Sequence, residues 1–343
     1  MIRIKARPAS TVVELRERLQ QAVELEFATL PPYLYALYSI PPGQNQAAVE
    51  RIKDIVHEEM IHMCLACNML NAIGGRPLIA DQKSVPSYPG PLPYDIGSED
   101  GKLFEVSMLP FSKAAMAQAM RIEEPEDPLV IKAKAAAAVV PEFQTIGEFY
   151  QAVDQGLSRL PKEAFSARPR NQLGDQAFFM GELFAVTCYE DAHRAITRIV
   201  SQGEGSSQSP VDFEGDLAHF YRFSEIERNQ VLAKADNEQG YAWGEPLGVD
   251  WEAVFPAVAD PASHEAALVN DAAAIQLQDD CDQAFTRMLV NLQRAIDGEP
   301  GRLGNSVRFM FELRMASIAA FSHPVEGLDK AVGPAFRFRS ELA

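Results

Sequence analysis

Apolar residues recur along this chain with the 3.6-residue period of a helix, and the alternation expected of strands is scarce. After Ser10, a candidate N-cap, Leu15, Leu19, Ala22, Leu30 and Tyr33 share one helical face. Pro31-Pro32 should bend this helix, because proline removes a donor and crowds the preceding turn. Pro41-Pro42-Gly43 should end it. A second helix follows at once, with Ile52, Ile55/Val56, Met63, Ala66, Met69/Leu70 and Ile73 in its stripe and Gly74-Gly75 as its stop. So short a turn makes the two helices antiparallel neighbours.

Residues 76–110 are rich in Pro, Gly and Tyr and read as a long crossing connection, with Phe104–Met108 as a short extended piece. Helices are expected from Ser112 to about Glu124, from Thr145 through Leu157, and from about Asp175 to Val200. Ser201–Pro210 is the clearest linker. It divides an expected bundle of residues 1–204 from a C-terminal helical region of residues 211–343 packed on it. In that region helices are expected at 216–234, 262–297 and 302–322. The chain is all-α throughout.

Two stripes are interrupted by charge. Glu59 and His62 lie inside the second one, and Glu190 and His193 inside the stripe Phe179, Leu183, Val186, Thr197, Val200. Glu26 occupies the slot between Ala22 and Leu30. Buried charge is costly unless it is paired or bound to metal. Glu-x-x-His places both groups on one face, about 4.5 Å apart along the axis. Two such pairs, with one further Glu from each remaining helix of a four-helix bundle, make a di-metal carboxylate site.

The fourth carboxylate stays open between Glu148, Glu123 and Glu142. Glu148 holds the expected place in chain order but lies off the apolar face, and it also completes the capping box Thr145-x-x-Glu148. Glu123 lies on the Met116/Met120 face. Glu58 should point to the bundle flank and act at most on a ligand. His219 reads as a surface or satisfied core histidine in preference to a pocket residue. Tyr35, Tyr38 and Tyr150 read as core, with a place around the metals as the alternative.

Composition narrows the partners. A hydrophobic share of 47% is that of a globular chain, and a net charge of −17 leaves no basic surface for nucleic acid or anionic lipid. No run has the length of a membrane span, and Met1–Ser10 lacks the apolar core of a signal peptide. Four cysteines do not make a disulfide scaffold, so a reducing cytoplasm is expected. Cys64-x-x-Cys67 falls within a helix, without the context of a redox motif. Carboxylate and imidazole ligands without thiolate suit two iron ions, or manganese or another divalent metal. The expected partners are a small-molecule substrate and, at most, further copies of the chain as a homo-oligomer; no nucleic acid and no membrane.

Several stretches carry a resemblance. They are Leu25–Leu34, Glu58–Met63, Asn68–Gly75, Val85–Pro93, Ile122–Pro125, Thr145–Tyr150, Gly203–Gly205, His219–Phe223 and Gly333–Phe336. Together they resemble the ferritin-like family of iminophenyl-pyruvate dimer synthases, whose domain occurs in violacein- and rebeccamycin-pathway proteins. The resemblance implies a ferritin-like bundle with metal ligands at Glu26, Glu59, His62, Glu190 and His193, and it favours Glu148 as the sixth. It also implies a non-haem di-iron oxidoreductase, with oxidative coupling of imino acids as the family's named activity. The alternative is a storage or peroxide-detoxifying protein without an organic substrate.

Overall fold

The structure, a computed structural model, describes residues 9–93, 102–125, 145–165, 171–174, 181–204, 209–236 and 240–342. Its centre is a hairpin of two long helices, α1 (Val12–Tyr38) and α2 (Gln46–Ala72). Thr11, one residue after the expected cap, starts α1 by accepting the Glu14 N–H at 3.1 Å. The helix runs through Pro31 and Pro32 without ending. At the far end of α2, Gly74 adopts a φ of 74°, a left-handed turn that favours glycine, and its N–H bonds the Asn71 carbonyl.

Residues 25–36 of α1 and 61–72 of α2 are all buried. A helix that is buried all round needs cover on both sides. On one side stand two pairs of shorter helices. The first pair is α3 (Lys113–Ile122) with α6 (His219–Arg228), and the second is α4 (Ile146–Leu157) with α5 (Tyr189–Glu204). Contacts run α1–α2–α5–α4 and back to α1, closing a four-helix ring; α1, α2, α6 and α3 close a second ring. Ser112 and Thr145 cap α3 and α4 through their hydroxyls.

On the other side, a short α7 (Glu265–Leu268) leads into the α8 (Ala272–Ile296) and α9 (Leu303–Phe321) hairpin. This covers α1, with Phe285 stacked on Phe27 at 6.2 Å. One apolar core joins the central hairpin, both helix pairs and this outer hairpin. The final segment lies along α8, whose Gln278, Asp282 and Thr286 sit one turn apart. Gln278 donates to the carbonyls of Val332 and Gly333, Asp282 accepts the Arg337 N–H at 3.0 Å, and Thr286 accepts the Arg339 N–H at 2.9 Å. Three side chains thus do for this irregular segment what a neighbouring strand's backbone would do.

Strands are short, antiparallel pairs: β1 (Gly90–Pro91) with β2 (Glu105–Val106), β3 (Gln230–Lys234) with β4 (Tyr241–Pro246), and β5 (Pro324–Val325) with β6 (Lys330–Ala331). The linker expected at Ser201–Pro210 is helical through Glu204, the helix expected at 262–297 is broken between Leu268 and Ala272, and two further expectations need correction. The helix expected at 216–234 ends at Arg228, because Asn229 takes a left-handed φ of 55° and the chain continues as β3. The helix expected from Asp175 begins only at Tyr189, residues 182–187 having no helical structure and residues 175–180 lying outside the described set. Asn68 holds that stretch in its loop: it donates to the carbonyls of Leu173 and Phe184, both at 2.8 Å, and accepts the Leu173 N–H. No helix among the described residues is long and apolar enough to cross a membrane.

Candidate metal centre

Five ionisable side chains converge where the two helix pairs meet on the central hairpin. α1 supplies Glu26, α2 supplies Glu59 and His62, the C-cap of α3 supplies Glu123, and the first residue of α6 supplies His219. None is more than 3% exposed. Their donor atoms form two groups, Glu26/Glu59/His62 and Glu59/Glu123/His219, each with its atoms within 4.8 Å of one another. Glu59 belongs to both.

The two halves have the same design. His62 turns Nδ1 toward Glu26 Oε2 at 3.6 Å and Glu59 Oε1 at 3.5 Å, while its Nε2 donates to Gln202 Oε1 at 2.8 Å. His219 turns Nδ1 toward Glu59 Oε1 at 2.8 Å and Glu123 Oε2 at 3.6 Å, while its Nε2 donates to Glu58 Oε2 at 2.8 Å. The rings stack with centroids 5.6 Å apart. Each carboxylate is also held from outside. Tyr150 donates to Glu26 Oε1 at 2.6 Å, Tyr33 to Glu123 Oε1 at 2.6 Å, and Thr29 to Glu59 Oε2 at 2.7 Å. Arg222 closes the periphery by donating to Glu58 Oε1 at 2.8 Å, and a second ion pair, Arg51–Glu225, ties α6 to α2. Outer hydrogen bonds of this kind fix the tautomer and orientation of metal-binding imidazoles.

The inner nitrogens test whether a metal fits. An imidazole that donates through Nε2 keeps the lone pair of a neutral ring on Nδ1. His219 Nδ1 is fully buried and makes no aligned hydrogen bond, although Glu59 Oε1 lies within 2.8 Å. A lone pair facing carboxylate oxygens is repulsive, so something positive belongs there, either a proton or a cation. Protonation follows that logic. Burial works against charge on both imidazoles, but their carboxylate neighbours prevail and raise them, His62 to about 10 and His219 well above its ordinary value. Burial raises Glu26 and Glu123. Burial also opposes the charge on Glu59, yet hydrogen bonds from His219 and His62 pull its carboxyl well below the usual range. Three carboxylates and two imidazoles, without thiolate, suit iron or manganese.

Glu26, Glu59 and His62 of the expected set thus come together; the other three expected residues lie elsewhere. Glu190 is exposed, and the side chain of His193 is 56% exposed with Nδ1 3.0 Å from Asp154 Oδ1. The later start of α5 explains this: it buries Ala192, Ala195, Ile196, Ile199 and Gln202, the opposite phase from the expected stripe. Glu148 is half-buried in the first turn of α4, where its N–H bonds Thr145, and α4 reaches the cluster through Tyr150 instead. Glu142 lies outside the described residues. Glu123, one of the open alternatives, and His219, expected in the core or at the surface, complete the cluster. Tyr35 donates to the Val258 carbonyl, away from the cluster.

Comparison with known proteins identifies the fold family. A family model described as ferritin-like matches residues 19–228, a span that runs from α1 to the end of α6 and contains all five clustered residues. A 2-imino-3-(indol-3-yl)propanoate dimerase of Chromobacterium violaceum is 26% identical over 263 residues, covering 66% of this chain and 24% of the relative. A dichlorochromopyrrolate synthase of Lentzea aerocolonigenes is 23% identical over 346 residues, covering 85% of this chain and 32% of the relative. The chain therefore corresponds to a quarter to a third of the length of these relatives. The crystal structure of a ferritin-like protein from Caulobacter vibrioides superposes with a TM-score of 0.64 at 22% identity, covering 97% of this chain and 99% of that one, a likeness of fold.

Proposed function

Since the chain belongs to the ferritin-like family, we propose that it is a metal-dependent oxidoreductase that holds two iron or manganese ions and uses O₂ to oxidise a small organic substrate. One observation carries this reading: two buried imidazoles aim Nδ1 at a carboxylate they share, and the His219 nitrogen has no aligned hydrogen-bond partner. Ions bound there supply redox chemistry toward O₂. The chain's residues do the rest. Glu26 with His62, and Glu123 with His219, would hold one position each, and Glu59 belongs to both groups. Tyr33, Tyr150 and Thr29 fix the carboxylates, and the burial of the cluster keeps bulk water away.

The name of the Chromobacterium violaceum relative makes 2-imino acids of aromatic amino acids the first substrates to try. Oxidative coupling of two such molecules would form one C–C bond with loss of two hydrogens, which O₂ would accept as hydrogen peroxide. The test has two stages. Elemental mass spectrometry after anaerobic Fe(II) or Mn(II) loading should find about two ions per chain; less than about half an ion of any transition metal would exclude the reading. The loaded protein should then consume O₂ and form a coupled product when 2-imino acids are generated in the assay. Metal uptake with peroxide consumption but no organic product would replace it with the storage or peroxide-detoxifying alternative.

A further inference from the structure

A cleft of about 660 Å³ opens between the end of α1, the first half of α2, the turn that joins them, and α9. That volume is within the range of about 300–1,000 Å³ usual for small-molecule sites. None of the five clustered metal-site residues lines it. Its wall includes Leu34, Val49, Met60 and Ile318, and a second cavity lies behind part of that wall. Leu34, Met60 and Met310 are shared with a narrower cavity of about 50 Å³ between the central hairpin and the α8/α9 hairpin. Met60, Met63, Met288 and Met310 line that inner space. Unbranched thioether side chains yield readily to a guest, and so narrow an apolar space suits a linear chain better than a ring.

Two polar groups point to the other end of that guest. Tyr38 lines the cleft, is 6% exposed, and its hydroxyl makes no hydrogen bond to any described residue. Burial raises its pKa, so it is a donor at any ordinary pH, and Arg314 is the charge that acts on it. Arg314, also lining the cleft, has no carboxylate partner among the described residues, whereas its neighbours on α9, Arg308 and Glu312, pair with each other at 3.4 Å. On the α2 rim the charges are mixed: Lys53 and His57 flank Asp54, with Glu50 one turn before. The cation without a carboxylate partner among the described residues is therefore the exposed Arg314 on α9, near a tyrosine hydroxyl on the cleft wall. Both requirements are met by a carboxylate.

We propose that this cleft binds an unbranched amphipathic carboxylic acid, its carboxylate on Arg314 and Tyr38 and its alkyl chain in the methionine-lined cavity. The site is independent of the metal centre and holds whether or not that centre is redox-active. A second copy of the chain is the competing occupant, since Phe311 and Met315 on α9 are 55% and 67% exposed. A protein surface would cover those two side chains, but it would not reach the inner cavity.

Isothermal titration of the full chain with sodium octanoate tests the proposal, with octan-1-ol as the uncharged control and sedimentation velocity run in parallel. Octanoate should bind saturably, one per chain. Octan-1-ol should bind at least about tenfold more weakly, and Arg314→Gln and Tyr38→Phe should each weaken octanoate by about tenfold, as loss of a charge-assisted hydrogen bond does. Met310→Trp, which fills the junction between the two cavities, should abolish binding while the circular dichroism spectrum and metal content stay those of the wild type. Equal affinity for acid and alcohol, or octanoate binding unaffected by Arg314→Gln, would overturn the proposal. So would a chain that self-associates through Phe311 and Met315 and binds octanoate only on dissociation.

Discussion

Glu59 Oε1 lies 2.8 Å from His219 Nδ1 and 3.5 Å from His62 Nδ1, so one carboxylate oxygen on α2 serves two imidazoles on two helices. Removing that carboxylate should damage both halves of the centre together. Glu59→Ala is expected to retain less than about a tenth of the wild-type metal, in line with loss of a ligand common to two ions. Glu190→Ala and His193→Ala, whose side chains are exposed, should retain all of it. Elemental analysis of the three variants decides, and full metal content in Glu59→Ala would refute the shared-ligand arrangement.

Arg222 touches neither imidazole, yet it donates to Glu58, which in turn accepts from His219 Nε2. Arg222→Gln should loosen the His219 half alone. A metal titration of this variant should show one site near wild-type affinity and one weakened by about 10–100-fold, the usual cost of losing an outer partner. Equal weakening of both sites would mean that the arginine acts through the fold as a whole.

The central hairpin and its three clustered residues were legible because Glu26, Glu59 and His62 are charges set into apolar stripes of one continuous phase. The second half of the centre was not legible in the same way. Glu123 caps one helix and His219 starts another, so no fixed spacing links them. Glu190-x-x-His193 has the right spacing but the wrong phase, because α5 starts late and its true buried face carries Ala192, Ile196 and Gln202. The usable signal lay in the amphipathic pattern of short elements. Glu123 follows the Met116 face of α3, and His219 precedes Phe223 and Ile226, which are buried on α6. Both residues also lie within stretches that carry the family resemblance.

Asp282 gives the fold a pH dependence of its own. Burial pushes its carboxyl up to about 6, against the pull of the Arg337 N–H and the guanidinium beside it. The unfolded chain titrates this group near pH ~3.9, so the folded state holds the proton more tightly. That contribution to stability is complete below about pH 4 and is lost as the pH rises through about 6. Asp282→Asn keeps an acceptor for Arg337 and removes the charge. It should raise stability at about pH 7 by up to roughly 2–3 kcal/mol and change it little at about pH 4. Urea midpoints at the two pH values test this, and a pH-independent difference would count against it.

Gly333 has no room for a side chain. A Cβ there would lie 2.8 Å from Tyr35 Cε2 and closer still to the ring of Phe321. Those two rings already pack edge-on with centroids 4.9 Å apart, and Tyr35 is further fixed by its bond to the Val258 carbonyl. Gly333→Ala should therefore cost about 1–3 kcal/mol, as overpacking does. It should do so by displacing the final segment from α8, so limited proteolysis should cut near residue 333 in the variant before it cuts the wild type.

The position of His219 also dictates an order of assembly. Four of the five clustered side chains belong to α1, α2 and α3, but the fifth opens α6, and α6 is held on α2 by Arg51–Glu225 and Arg222–Glu58. Helices α1 and α2 need only a short turn to meet, whereas bringing His219 to Glu59 closes a long loop of chain, with the larger entropy that implies. The Glu26/Glu59/His62 half can thus form as soon as the hairpin has folded, while the half built on Glu123 and His219 must wait for α6 to dock. A metal held at that second position would therefore report that α6 has docked.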